Sequence, residues 1–205
     1  YSIAAADVNN DGLVEVIVRD STDHSYKIYS NTGDLIKAIP KGFAYGNSTI
    51  SDLNGDGSAE FIIGNNIVNL DDDSIVKLKK PVDYNKGDFV MIDSIAFDAD
   101  LDGQQEVLVN GVLYTMDGQI LWNKNTQQGF AAIGNFDNDA YPEIVLTDLD
   151  GSIKLLEQDG SVIWEYQSDD SGGGVPSIGD VDGNGEPDIV VSGGKLIKVL
   201  NKEGV

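Results

Sequence analysis

Five nine-residue segments crowd oxygen-bearing side chains at alternate positions: "DVNNDGLVE" from Asp7, "DLNGDGSAE" from Asp52, "DADLDGQQE" from Asp98, "NFDNDAYPE" from Asn135 and "DVDGNGEPD" from Asp180. Each has Asp or Asn at its first, third and fifth positions and an acid at its ninth. Carboxylates brought this close cannot all stay ionised without cost, and a hard divalent cation reverses the sign of that cost. Calcium accepts six to eight oxygen ligands in loose geometry, which suits a cage of carboxylate, amide and backbone oxygens. Zinc would ask for nitrogen or sulfur, yet the chain has one histidine, His24, and no cysteine.

The candidate side-chain ligands are Asp7, Asn9, Asp11 and Glu15 in the first loop and Asp52, Asn54, Asp56 and Glu60 in the second. The third offers Asp98, Asp100, Asp102 and Glu106, the fourth Asn135, Asp137, Asp139 and Glu143, and the fifth Asp180, Asp182, Asn184 and Asp188. Gly12, Gly57, Gly103 and Gly185 hold the sixth position, where a sharp reversal would turn the seventh carbonyl toward the ion. Those carbonyls belong to Leu13, Ser58, Gln104, Tyr141 and Glu186. Four carboxylates make the third site the expected tightest. Asn135, Ala140 and Pro142 make the fourth the expected weakest. An EF-hand closes at its twelfth position and leads into a helix, whereas these loops close at the ninth and run into apolar, β-branched residues.

The loops must be positioned by something that repeats, because their starts fall 45, 46, 37 and 45 residues apart. Small residues precede each loop, as in "SIAAAD" and "FAAIGN", and an apolar run such as Val107–Val109 follows it. A third run ("YKIYS", "IKLLE") and a turn ("NTGD", "QDGS") lead to a fourth ("LIKAI", "VIWEY"). Asn110-Gly111 is a two-residue hairpin signal, and no segment has helical periodicity. The reading is an all-β chain forming a β-propeller of four-stranded antiparallel blades, about 1–43, 44–88, 89–127, 128–171 and 172–205. Small first strands suit the crowded centre of such a fold. The fifth blade ends where its fourth strand should begin. That strand would come from residues before Tyr1 or after Val205, which leaves a larger ring open and the ring size unread.

The formal net charge of −22 comes from 35 acids against 13 bases, and nearly half of the acids lie in the five motifs. Such a chain is a poor partner for nucleic acid or an anionic membrane, both of which need basic patches. No stretch reaches the roughly 20 apolar residues of a membrane span. Lack of cysteine excludes disulfides and thiol chemistry. A start at Tyr1, without methionine or signal peptide, reads as a processed or excised segment.

With its five motifs in register, the chain resembles the FG-GAP/VCBS repeats, whose calcium loops sit between two strands of a propeller blade, as in integrin α-subunit propellers and some fungal lectins. The resemblance implies a secreted or cell-surface setting and a role in adhesion, in glycan binding or as an accessory domain of a larger enzyme. The expected function is therefore an extracellular calcium-binding recognition module, with a glycan or an extracellular protein as ligand and calcium as a structural ion. An accessory propeller of a secreted polysaccharide-degrading enzyme is the alternative, and a calcium-dependent lyase in its own right is a third reading. No catalytic residue is assigned, because no triad can be built on a single histidine.

Other features take plainer readings. Trp122 and Trp164 occupy matching places in fourth strands, where packing between blades is favoured over a sugar-stacking platform. His24 reads as a surface loop residue, and Asp71–Asp73 as a solvated turn. Lys77, Lys79 and Lys80 read as charges guarding an edge. "DDSGGGVPS" (169–177) reads as a crossing between blades.

Overall fold

A computed structural model describes residues 3–39, 48–80, 94–124, 126, 129–168, 173–193 and 195–205. Every regular element in them is a strand. The first blade is β1 (Ile3–Ala6), β2 (Glu15–Arg19), β3 (Tyr26–Tyr29) and β4 (Leu35–Ile39). The second is β5 (Ser48–Ser51), β6 (Glu60–Ile63), β7 (Asn66–Asn69) and β8 (Ile75–Lys77). The third is β9 (Ser94–Phe97), β10 (Glu106–Val109), β11 (Val112–Tyr114) and β12 (Ile120–Asn123). Then come β13 (Phe130–Gly134), β14 (Glu143–Thr147), β15 (Ser152–Leu156) and β16 (Val162–Gln167), and finally β17 (Ser177–Gly179), β18 (Asp188–Gly193) and β19 (Leu196–Leu200). Four sheets have four strands and the last has three, each in chain order.

These are antiparallel meanders arranged as propeller blades. Their registers show how the apolar runs seat: Ala4 faces Ile17, Ile50 faces Phe61 and Ala132 faces Val145. The second strands of the middle blades are buried at every position, because they have neighbours on both faces. The fourth strands are largely exposed. The expected blade boundaries at 43/44, 88/89, 127/128 and 171/172 lie outside the described residues.

The chain divides into two compact units, one made of 1–98, 103–109 and 114–120, the other of 99–102, 110–113 and 121–205. In the first, β1 lies beside β5 and β5 beside β9. Its core joins Ile17, Tyr26 and Ile28 of one blade to Phe61, Ile63 and Val68 of the next, with the Tyr26 and Phe61 rings edge-to-face at 5.1 Å. In the second, β13 lies beside β17, and Val145 and Leu155 pack with Ile189 and Val191.

A recurring contact locks the fourth strands β4, β12 and β16 to the turn that follows the third strand of the next blade. Trp122 donates its indole N–H to the Gln158 carbonyl at 2.9 Å, and Trp164 donates to the Lys202 carbonyl at 2.7 Å. The rings lie on Gly160 and Gly204, where an added Cβ would come within 2.8 and 2.9 Å of the indoles. Lys37 does the same work in the first unit, donating to the Leu70 carbonyl and pairing with Asp73 at 2.6 Å. The tryptophans are thus packing side chains between blades. The glycine crossing is tight too, since a Cβ on Gly173 would lie 2.5 Å from the Asp148 carbonyl oxygen. Residues 169–172 of that crossing lie outside the described residues. His24 is exposed in a turn at φ 63°. Lys77 ends the outer strand β8 of its sheet.

Candidate metal centres

All five acidic loops join the first strand of a blade to its second, so the sheet holds both ends of each loop. The ninth residue opens the second strand and is buried in every blade: Glu15 at 2 %, Glu60 at 4 %, Glu106 at 7 %, Glu143 at 0 % and Asp188 at 4 % exposure. The other acids of the loops remain at least partly exposed. Burying an ionised carboxylate is costly unless it is paired or coordinated.

One oxygen of the buried acid is held by backbone. Glu15 accepts the Val8 N–H at 3.1 Å, Glu60 the Leu53 N–H at 2.9 Å and Asp188 the Val181 N–H at 2.9 Å, and Glu143 accepts the Phe136 N–H. In these four loops the donor is the second residue of the motif. That residue is apolar and buried in all loops but the fifth, as Val8, Leu53, Ala99 and Phe136, and so plugs the loop onto the core. In the fifth loop Val181 is exposed.

The first residue braces the loop. Asp7 accepts N–H groups of Asp11 and Gly12 at 3.1 and 2.8 Å, and Asp52 those of Asp56 and Gly57 at the same distances. Asp180 accepts Asn184 and Gly185 at 3.0 and 2.9 Å, and Asp98 accepts Gly103 at 3.0 Å. The fifth residue then accepts the seventh N–H: Asp11 from Leu13 and Asp56 from Ser58 at 2.8 Å, Asn184 from Glu186 at 2.6 Å. This turn lowers the Asp56 pKa, chiefly through the Ser58 N–H and then the Asn54 amide.

The backbone reverses at two positions. The sixth-position glycines sit at φ 83–93°. The fourth position is left-handed as well, at Asn10 (57°), Gly55 (72°), Leu101 (61°) and Gly183 (79°). Sequence reasoning missed this second reversal, although Asn and Gly at three of the four places were a signal.

The fourth loop is built differently. Neither Asn138 nor Ala140 takes a positive φ. Asn135 donates where the other first residues accept, giving its amide N–H to the carbonyls of Asp139 at 2.8 Å and Tyr141 at 3.5 Å. The amide thus bonds chiefly the fifth-position carbonyl and reaches the seventh only at the limit of a hydrogen bond. Asp139 still accepts the Tyr141 N–H at 2.8 Å.

Three loops gather carboxylates closely enough to hold one ion. Oxygens of Asp98, Asp100 and Glu106 lie within 4.8 Å of one another, as do those of Asp137, Asp139 and Glu143 and those of Asp180, Asp182 and Asp188. Two oxygens on opposite sides of a calcium ion stand about 4.6–5.2 Å apart. In the first and second loops Asn9 and Asn54 take the third place, each donating to the fifth-position Asp, at 3.1 and 2.8 Å. The donor set is oxygen throughout, which fits a hard dication. Glu60 and Glu143 have raised pKa values, caused first by burial and then partly by neighbouring loop aspartates. A cation would offset both penalties.

Two features lie outside the motif. Asn69 donates its amide to Glu60 Oε1 at 2.9 Å, and the Ser58 hydroxyl donates to Asp71. Asp71 and Asp73 are therefore engaged side chains within the 71–73 turn, Asp73 through Lys37.

Residues 7–63 match a family model, the FG-GAP-like repeat. No curated protein matches the chain by sequence. Among solved structures, the V. cholerae biofilm matrix protein Bap1 is similar at 29% identity and TM-score 0.73, over 87% of this chain and 30% of that one. The Bacillus licheniformis rhamnogalacturonan lyase PL11 is similar at 14% identity and TM-score 0.71, and the rhamnogalacturonan lyase YesW at 15% and 0.70. Each lyase match covers 99% of this chain and 45% of the lyase chain, so the present chain spans less than half of any of the three. Its repeats, its meander blades and these matches agree: this is a β-propeller fold that carries an FG-GAP-like repeat over residues 7–63.

Proposed function

We propose that the chain is a calcium-binding β-propeller segment that works outside the cell as a non-enzymatic recognition or adhesion module, with calcium as its structural ion. The observation that carries the metal reading is the set of five ninth-position acids. All are buried, and each closes a loop of further oxygen ligands. Calcium would be held by the first, third, fifth and ninth side chains and the seventh carbonyl of each loop. Binding only the folded form, it would stabilise the blades by mass action. The likeness to a biofilm matrix protein favours recognition outside the cell. The lyase likenesses, at 14–15% identity, speak to fold alone. The ligand class in this reading is a glycan or an extracellular protein, met by a surface that is not basic.

Thermal unfolding in millimolar calcium and in excess EGTA tests the metal. Each site saturated 100-fold above its Kd adds about 2.7 kcal/mol, so even two sites move the midpoint by roughly 10 °C or more. Equal midpoints would overturn the reading. A glycan array probed with calcium-loaded and chelated protein tests the recognition role, which requires a signal that chelation removes.

A further inference from the structure

Blades can be aligned through the turn after their third strand, where one backbone hydrogen bond recurs. The N–H of Ser30, Asn69, Thr115, Glu157 and Asn201 donates to the carbonyl of Asp34, Ser74, Gln119, Ser161 and Val205. Four of these residues are neutral and cap the turn with a side-chain oxygen. Ser30 accepts the Asp34 N–H, Asn69 that of Asp71, Thr115 that of Gln119 and Asn201 that of Val205. The fourth blade alone puts a carboxylate there, Glu157.

That place faces the buried acid of the loop. In the second blade Glu60 pairs across the strands with Asn69, whose amide satisfies Glu60 Oε1 at 2.9 Å. In the fourth blade Ile144 pairs with Leu156, which sets Glu143 opposite Glu157 one step further out. Glu157 in its ionised form has no proton to donate. Glu143 Oε1 accordingly has no partner, in a side chain with 0 % exposure, while its other oxygen takes the Phe136 N–H. Like charges directly opposite across a strand pair repel. Asp137 and Asp139 add to this: Glu157 has a raised pKa, first from burial and then from those two. Among the described residues none of the four carboxylates has a lysine or arginine ion pair.

We infer that Glu157 supplies a further carboxylate to the cation site of the fourth blade from outside the nine-residue loop, replacing the charge that the loop lacks at Asn135. The inference rests on the reading of the loops as cation sites and adds a residue to one of them. Glu157 stands outside the trio of oxygens that lie within 4.8 Å of one another. Its role is therefore in the outer shell, holding ion-bound water and adding negative charge. With it the fourth site has four carboxylates, as many as the third loop supplies.

Tyr141 makes the site separately observable, since the other four loops have no aromatic residue among their nine positions. Terbium(III) bound there takes excitation from Tyr141, and the Tyr141→Phe variant identifies that share of the emission. In the intact chain, Glu157→Gln should weaken terbium at the Tyr141-dependent site about tenfold or more, as loss of an outer-shell partner does. Asp137→Asn should abolish it. Glu157→Asn, which copies the second blade, should raise the melting temperature in EGTA and lower it in calcium. A Glu157→Gln titration superposing on the parent, or a Glu157→Asn variant without that reversal of sign, overturns the role of Glu157 while the loop site stands. If Asp137→Asn leaves the Tyr141-dependent emission unchanged, the loop does not hold the ion and the underlying reading fails with it.

Discussion

The second and fourth acidic loops occupy the same place in their blades and solve the same problem in opposite ways. In the second, Asp52 accepts two backbone N–H groups, Gly57 reverses the chain at φ 90°, and Asn69 hydrogen-bonds the inner oxygen of Glu60. In the fourth, Asn135 donates instead of accepting, Ala140 stays out of the left-handed region, and Glu143 is left with an unsatisfied oxygen. The second loop is braced before any ion arrives. The fourth is held together by an amide that donates to the Asp139 carbonyl from the place where the other loops put an accepting carboxylate. Identical spacing therefore conceals two designs: one prepared by hydrogen bonds, the other in need of a counter-charge.

The largest expected contrast comes from the first position. Asp52→Ala removes an acceptor shared by two N–H groups and should cost about 2–3 kcal/mol in calcium. Asn135→Ala loses neutral contacts and should cost about 1 kcal/mol. Urea unfolding of both variants checks this, and equal losses would erase the contrast. The sixth position comes next. Gly57→Ala places a Cβ at φ 90° and 3.3 Å from the Asn10 amide, with an expected cost of about 1–2 kcal/mol. Ala140→Gly should lie within about 1 kcal/mol of the parent. Combined with Asn135→Asp, it should let the fourth loop adopt the path of the second and bind calcium more tightly, as titration calorimetry would register.

The smallest effect is a pH trend in EGTA. Glu60, Glu143 and Glu157 have folded-state pKa values raised by burial, so the folded chain binds more protons than the unfolded chain just above the ordinary glutamate range. Stability should then rise as pH falls from 7 toward 5. Aspartates with lowered values, Asp56 and Asp72 among them, act oppositely and withdraw stability only at and below their ordinary range near 4. Calcium should invert the upper trend, because the ion binds the deprotonated acids. Calorimetric scans across this range, with and without calcium, show whether the sign changes.

Much of this was legible along the chain. Alternating oxygens announced the loops, the apolar triplets after them announced strands such as β6 and β14, and glycine at the sixth position announced the reversal. Trp122 and Trp164 were readable as packing residues, though the carbonyls that receive them were not. The burial of all five ninth-position acids was hidden, because an acid opening a strand looks the same in solvent or under a loop. Leu101 at φ 61° gave no local warning either, since nothing in a leucine favours that conformation.

By itself the sequence determined the repeat, the order of strands, and the oxygen donors that the loops offer, because these depend on residue type and local spacing. Tertiary structure decided which residues from outside the loops stand opposite the buried acids. Asn69 and Glu157 lie 9 and 14 residues from Glu60 and Glu143 and stand opposite them only across a strand pair. A register of that kind is set by how whole blades pack, so no nine-residue pattern could have shown that one buried acid faces an amide and another faces a second acid.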